Sequence, residues 1–220
     1  MSNRPTVSEP TVVVPVKAFS AAKARLAGAL DDGRRAALAR AMADRVVTAA
    51  RGLPVVVVCD DEAVAAWARA RGATVVWQPG AGLNRAVSAA VEWCAERDVA
   101  EVVVAHADLP FADDLRTLAG FAGVTLVPDR HRDGTNVLVL PAAAGFRFAY
   151  GPGSFARHRA EAERLGLAVR VLDDTALSWD VDHPEDLRGL PAEWRAVATA
   201  EAPTPDRPRP DDHRPNRRGG

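Results

Sequence analysis

The chain has 220 residues, 48% of them hydrophobic, with 28 Lys and Arg against 29 Asp and Glu and a formal net charge of -1. That is enough apolar material for one core of ordinary size, and the balanced charge argues against nucleic acid as the main partner while leaving room for a local cationic pocket. Cys59 and Cys94 stand in no metal-ligand or redox spacing, no apolar run nears the roughly 20 residues that span a bilayer, and the start "MSNRPTVSEP" has no apolar signal core, so a cytoplasmic protein is expected.

Residues 1–10 read as a flexible start. The first strand follows as "TVVVPV", and "PVVVVC", "ATVVWQ", "EVVVAH" and "GVTLVP" repeat the pattern. Four of these runs are almost continuously apolar, as strands buried on both faces of a parallel sheet must be. Between them, Asp31 to Arg51 carries Leu38, Met42, Val46 and Ala49 at helical spacing, and Leu83 to Arg97 does the same with Val87, Ala90, Val91 and Cys94. After residue 128 the alternation loosens into the shorter runs "TNVLVL", "FRFAYG" and "AVRVL", read as strands, with a helix over about Phe155 to Leu165, so part of the sheet is expected to be antiparallel. From residue 201 the chain is rich in proline and charge without large apolar side chains, the composition of a disordered tail. The expected fold is therefore a single α/β domain over 11–200, with a mostly parallel central sheet and helices on both faces. Ligands of such sheets sit beyond the carboxyl ends of the strands.

Those ends carry the candidate chemistry. Lys17, Lys23 and Arg25 follow the first strand and could hold a triphosphate, or form a solvated basic loop. "QPGAGLNRAV" places Gly82 and Asn84 at a helix start, where they suit a base or sugar, or a plain capped turn. In "HADLPF", Asp108 stands where the sheet opens to solvent, as a ligand or a turn residue. Thr135 begins "TNVLVL", and "YGPGSFARH" sets Gly151 and Ser154 before a helix whose N-terminal N–H groups favour an anion, with Arg157, His158 and Arg159 adding charge one turn in. In "SWDVDHPEDL", an extended backbone would put Asp180 and Asp182 on one face and Val181 in the core. A divalent metal would relieve the repulsion between the carboxylates; alternatively Asp182 caps a helix from about Pro184.

In this order, "VPVKAFSAAKARL", "GLNRAV", "ADLPF", "DGTNVL", "GPGSFARH" and "WDVDHPEDL" resemble the phosphoenolpyruvate and 2-phospholactate guanylyltransferases of deazaflavin coenzyme F-420 biosynthesis, from about Val12 to Leu187. That family shares the nucleotide-diphospho-sugar transferase type of fold with the molybdenum-cofactor guanylyltransferases, whose opening loop is glycine-rich; here the cations remain without the glycines. The resemblance implies that Lys17, Lys23 and Arg25 contact the triphosphate of GTP and that Gly82 and Asn84 lie beside the nucleotide. It implies Mg²⁺ on Asp108 and Asp180 with Asp182 nearby, and an acceptor, phosphoenolpyruvate, on Thr135, Gly151 and Ser154. His106 and His183 depart from the residues usual in that family. The implied partners are small molecules, with neither nucleic acid nor membrane, and homodimerisation is left open. Another nucleotide or acceptor on the same fold, or a non-catalytic nucleotide-binding protein, remain the alternatives.

Overall fold

The computed structural model describes residues 9–173 and 176–199. The expected flexible start, but for its last two residues, and the Pro- and Arg-rich tail lie outside the described residues. Twelve regular elements follow in order: β1 (Thr11–Pro15), α1 (Asp32–Ala49), β2 (Val55–Cys59), α2 (Glu62–Arg69), β3 (Thr74–Trp77), α3 (Gly82–Ala95), β4 (Glu101–Ala105), β5 (Val124–Pro128), β6 (Thr135–Pro141), α4 (Ser154–Arg164), β7 (Val169–Val171) and α5 (Ala192–Thr199). None of the helices among the described residues is long and apolar enough to cross a membrane.

Seven strands form one sheet in the order β3-β2-β1-β4-β6-β5-β7. All neighbours are parallel except β6, which runs antiparallel to both β4 and β5. The expected antiparallel part is thus one reversed strand inserted between β4 and β5. The valine runs work because the central strands are buried on both faces: Val12 and Val14 join the layer with α1 and α2, while Val13 joins the layer with α3 and α4. Asp31 and Asp61 begin α1 and α2 by accepting the N–H groups of Arg34 and Val64 at 2.8 and 3.0 Å.

The run "FRFAYG" is not a strand. Its period of two is genuine, since Phe146 and Tyr150 are buried and Phe148 packs against the same cluster. Its backbone partners, however, are side chains instead of a ladder. Arg147 N–H donates to Glu161, Ala149 N–H to His158, and Tyr150 N–H to Asn84, while Arg157 donates to the Ala149 carbonyl. The segment is an extended strap sewn onto α3 and α4.

A third apolar cluster closes the carboxyl side of the sheet. Leu26, Leu30, Leu38, Met42, Val181 and Leu190 pack together, flanked by Phe111, Trp179, Leu187 and Trp194. It pins the two loops that carry Lys23, Arg25, Asp180 and Asp182, because Leu26 and Val181 are fully buried between or beside those polar residues.

Candidate active site

The loop after β1 contains no glycine before Gly28. It folds as two 3-10 turns, Phe19–Ala21 and Ala24–Leu26, joined through Lys23, which adopts a left-handed backbone at φ 56°. A non-glycine residue in that region is strained and persists only where its surroundings fix it. Here Phe19 packs edge-on against Trp67 at 5.4 Å, and Leu26 is buried, so both ends of the loop are anchored.

The Lys23 ammonium donates to Asp108 at 2.6 Å and to Asp182 at 3.1 Å, and Arg25 reaches the other Asp182 oxygen at 3.0 Å. Only 8% of the Lys23 side chain is exposed, so these pairs are only weakly screened. Burial opposes the charge on Lys23, but Asp108 and Asp182 outweigh it and raise its pKa. Burial likewise opposes the Asp108 carboxylate, and Lys23 and His106 overcome it to hold its pKa low. The Asp180 carboxylate makes no ion pair among the described residues, although Arg130 reaches its carbonyl at 3.5 Å. Burial, followed by the neighbouring Asp108 and Asp182 charges, pushes its pKa up to about 6.

These carboxylates fit a hard divalent cation. Among the described residues the Asp108 Oδ1 atom is buried without a hydrogen-bond partner, and burial with the neighbouring carboxylates disfavours the charge of Asp180 beside it. Oxygen donors of this kind suit Mg²⁺, which takes one or two carboxylates and completes its shell with water and substrate phosphate. Among the described residues no group of three or more His, Cys, Asp or Glu is arranged to hold a metal ion. Asp182 is instead engaged by Lys23 and Arg25. Nor does Asp182 cap a helix: its own N–H donates at 2.8 Å to Asp186, and the 3-10 turn that follows begins only at Asp186.

Two adjoining cavities open here. The larger, about 560 Å³, is lined by Lys17, Lys23, Arg25, Leu83 and Phe19 among others. The smaller, about 440 Å³, is lined by Thr135, Ser154, Tyr150, Asp180 and Asp129. Arg25, His106, Asp108, Gly151 and Asp182 line both. The ion cluster therefore stands at the seam. Gly82 and Asn84 do not line either cavity; Asn84 Oδ1 holds the Tyr150 N–H at 2.6 Å, while Leu83 between them faces the larger one.

At the start of α4, several donors are already taken. Gly153 N–H donates to the Asp133 carboxylate, Phe155 N–H to the Asp133 carbonyl, and Ser154 N–H to the Gly151 carbonyl. The charge expected one turn in is also reduced. His158 is fully buried, and burial, with His106 and Arg157 nearby, lowers its pKa to about 4, so it is neutral. Arg157 is spent on the carbonyls of Ala149 and Pro152, and Arg159 pairs with Glu163 on the surface.

The model of the family described as "Guanylyl transferase CofC like" matches residues 10–192. The chain belongs to this family. It is 37% identical over 187 residues to a phosphoenolpyruvate guanylyltransferase of Sphaerobacter thermophilus, covering 81% of this chain and 90% of that one. It is 40% identical over 189 residues to the protein of the same name from Rubrobacter xylanophilus, covering 82% and 92%. Among solved structures, a nucleotidyl transferase from Methanothermobacter thermautotroptrophicus superimposes with a TM-score of 0.60 at 12% identity, covering 86% of this chain and 99% of that one. CMP:2-keto-3-deoxy-manno-octonic acid synthetase, complexed with CTP, gives 0.55 at 13%, covering 83% and 96%. At such identities these likenesses establish the fold alone, and it is the α/β fold expected from the strand pattern.

Two site residues escaped the sequence reading. Asp186, 4% exposed, accepts the N–H groups of Asp182 and His183 at 2.8 and 2.7 Å and pairs with Arg130. Arg130 in turn lies over the Trp179 ring at 4.3 Å. Together they brace the segment that carries Asp180 and Asp182. The available signal was an aspartate four residues beyond Asp182, close enough for its carboxylate to take the preceding N–H groups.

Proposed function

We propose that this protein transfers the guanylyl group of GTP to the phosphate of phosphoenolpyruvate, giving enolpyruvyl-diphospho-guanosine and pyrophosphate, in the formation of deazaflavin coenzyme F-420. The observation that carries the reading is the pair of adjoining cavities with Lys23, Asp108 and Asp182 at their seam. A transfer between two substrates needs two sites that meet at the reacting atoms. The names of the relatives supply the nucleotide and the acceptor.

A phosphate oxygen of the acid attacks the α-phosphorus of GTP, and the bond to the bridging oxygen breaks to release pyrophosphate. The nucleophile is a phosphate monoester whose second pKa is about 6, so it is largely ionised at neutral pH and no side chain has to remove a proton. The obstacle is charge, since two polyanions must approach. Exposed Lys17 and Arg25 present cations on the triphosphate side, and Thr135 and Ser154 offer hydroxyls on the acceptor side. Asp108 and Asp180 would hold Mg²⁺, which when bound offsets phosphate charge. Lys23 keeps the Asp108 and Asp182 side chains at the seam through its two ion pairs.

The test is pyrophosphate release with each of the four NTPs against phosphoenolpyruvate, 2-phospholactate and 3-phosphoglycerate. GTP with phosphoenolpyruvate is expected to be fastest. Release with another acid but none with phosphoenolpyruvate overturns the acceptor; no release with any pair overturns catalysis. Ser154→Ala should raise the acceptor KM more than the GTP KM, and equal effects would make Ser154 a structural residue only.

A further inference from the structure

His158 is a buried histidine with both ring nitrogens engaged. Nε2 accepts the Ala149 N–H at 3.0 Å, and Nδ1 lies 3.0 Å from the Thr135 hydroxyl oxygen. A ring nitrogen that accepts from an amide carries no proton. The neutral ring therefore bears its proton on Nδ1 and donates it to Thr135. The surroundings keep the ring neutral: Tyr150 stands edge-on at 4.7 Å, with Phe146 and Phe148 at 5.8 and 6.5 Å. Burial lowers its pKa to about 4, and the charges that bear on it, His106 and Arg157, act in the same direction.

The consequence falls on Thr135. A threonine hydroxyl can donate or accept, and in contact with an ambiguous partner it would do either. Once Nδ1–H occupies a lone pair of the Thr135 oxygen, the hydroxyl cannot donate back to the ring and must direct its proton elsewhere. Thr135 is 2% exposed and lines the smaller cavity. The pairing of β5 with β6 shifts register between Val127 and Pro128, opposite this residue, and such irregularities re-aim side chains at the end of a strand.

We propose that His158 is a positioning residue that fixes the Thr135 hydroxyl as a one-way donor into the smaller cavity, selecting an acceptor with an anionic oxygen there. This rests on the reading of that cavity as the acceptor site. The backbone of the strap sets the tautomer through Ala149, and the tautomer sets the polarity of the hydroxyl. The shared chemistry is an anionic oxygen, and either the carboxylate or the phosphate of the acid could supply it.

Two measurements test this with the full-length protein. The first needs no substrate: side-chain ¹⁵N NMR of histidine should find one ring protonated at Nδ1, bare at Nε2, and unchanged between pH 5.5 and 8. An Nε2–H tautomer of His158, its signals assigned by their loss in His158→Gln, or a His158 ring that titrates in that range, overturns the proposal. The second compares variants of confirmed fold, using whichever phosphorylated acid supports pyrophosphate release. Thr135→Val should raise the acceptor KM by about 10-fold or more, the worth of a hydrogen bond to a charged group, with the GTP KM nearly unchanged and Thr135→Ser restoring most of the loss. His158→Asn keeps an amide donor near the Nδ1 position, whereas His158→Gln places its amide near Nε2, so Asn should retain more acceptor affinity than Gln. Equal loss in both variants, or equal effects on the two substrates, would leave His158 a packing residue and overturn the proposal. Titration of wild type and Thr135→Val with pyruvate and with inorganic phosphate identifies the group: a loss confined to one assigns that group to Thr135, and no loss with either overturns the donor role. If phosphoenolpyruvate itself proves inactive while another acid works, the acceptor reading fails and the Thr135 comparison stands on that acid.

Discussion

Asp180→Asn is expected to make the protein more stable while removing its activity. Burial, and then the neighbouring Asp108 and Asp182 charges, raise the Asp180 pKa from 3.8 to about 6. A carboxyl group whose pKa is higher in the folded than in the unfolded chain binds its proton more tightly when folded. Ionising it therefore costs stability. The cost is absent below the unfolded pKa, grows as pH rises between the two values, and is complete above the folded one. A shift of this size corresponds to about 3 kcal/mol, and because Asp180 lines an open cavity and is only half-buried, solvent screening brings it to about 1–2 kcal/mol. The amide keeps the shape and drops the charge. In EDTA at pH 7.5 the variant should melt about 2–4 °C higher for each kcal/mol recovered, and at pH 4.5 only about a third of the gain should remain. Calorimetry at the two pH values measures both. Addition of Mg²⁺ should then raise the Tm of the wild type more than that of the variant. A variant that melts below the wild type at pH 7.5 in EDTA, or a gain that does not shrink on acidification, would refute the reasoning.

Lys23→Met leaves Asp108 and Asp182 without their shared cation, and a loss of about 3 kcal/mol is expected in EDTA at neutral pH, partly recovered by Mg²⁺; a stability loss indifferent to Mg²⁺ would separate Lys23 from the carboxylates. Arg25→Ala removes a pair whose arginine is 66% exposed, so stability should change by no more than about 0.5 kcal/mol while the GTP KM rises, and steady-state kinetics beside a melt decides it. Asp186→Asn should weaken activation by Mg²⁺ by about 10- to 100-fold without altering the GTP KM to the same degree, since Asp186 orients the segment that bears Asp180 and Asp182; an unchanged Mg²⁺ dependence would confine it to a structural role.

The parallel half of the fold was legible because each central strand is buried on both faces, and that leaves an almost uninterrupted valine run in the sequence. The strap at 146–151 was misread because alternation reports which face a side chain takes, and not where the backbone N–H groups go. Phe146, Phe148 and Tyr150 alternate as a strand would, yet the N–H groups of Arg147, Ala149 and Tyr150 go to Glu161, His158 and Asn84, residues on two helices. The same limit governs the site. Its candidate residues were chosen by type and position at strand ends, but their pairings depend on contacts across 85 to 159 positions of sequence, as between Lys23 and Asp108 or Asp182. His158 shows the effect most plainly: in sequence it stands between two arginines, and in the fold it is a neutral ring behind aromatic side chains.

The missing glycines of the first loop have a physical counterpart. A glycine-rich phosphate loop leaves its N–H groups pointing at the ligand and uses residues that adopt positive φ without strain. Here Ala21 and Ala22 donate to the carbonyls of Ala18 and Phe19, and Leu26 and Ala27 donate to those of Lys23 and Ala24, so the two 3-10 turns consume those donors internally. Positive φ survives at one place, Lys23, where burial of Leu26 and the two carboxylates hold a strained backbone. With those backbone donors engaged, the positive charge this loop offers the larger cavity is that of side chains, and Lys17 and Arg25 are exposed cations in its lining. Recognition by exposed charge is screened by salt where recognition by oriented backbone is less so. In place of a directional backbone cradle the loop is a mount that presents exposed cations, and its geometry is set by apolar anchoring instead of by backbone freedom.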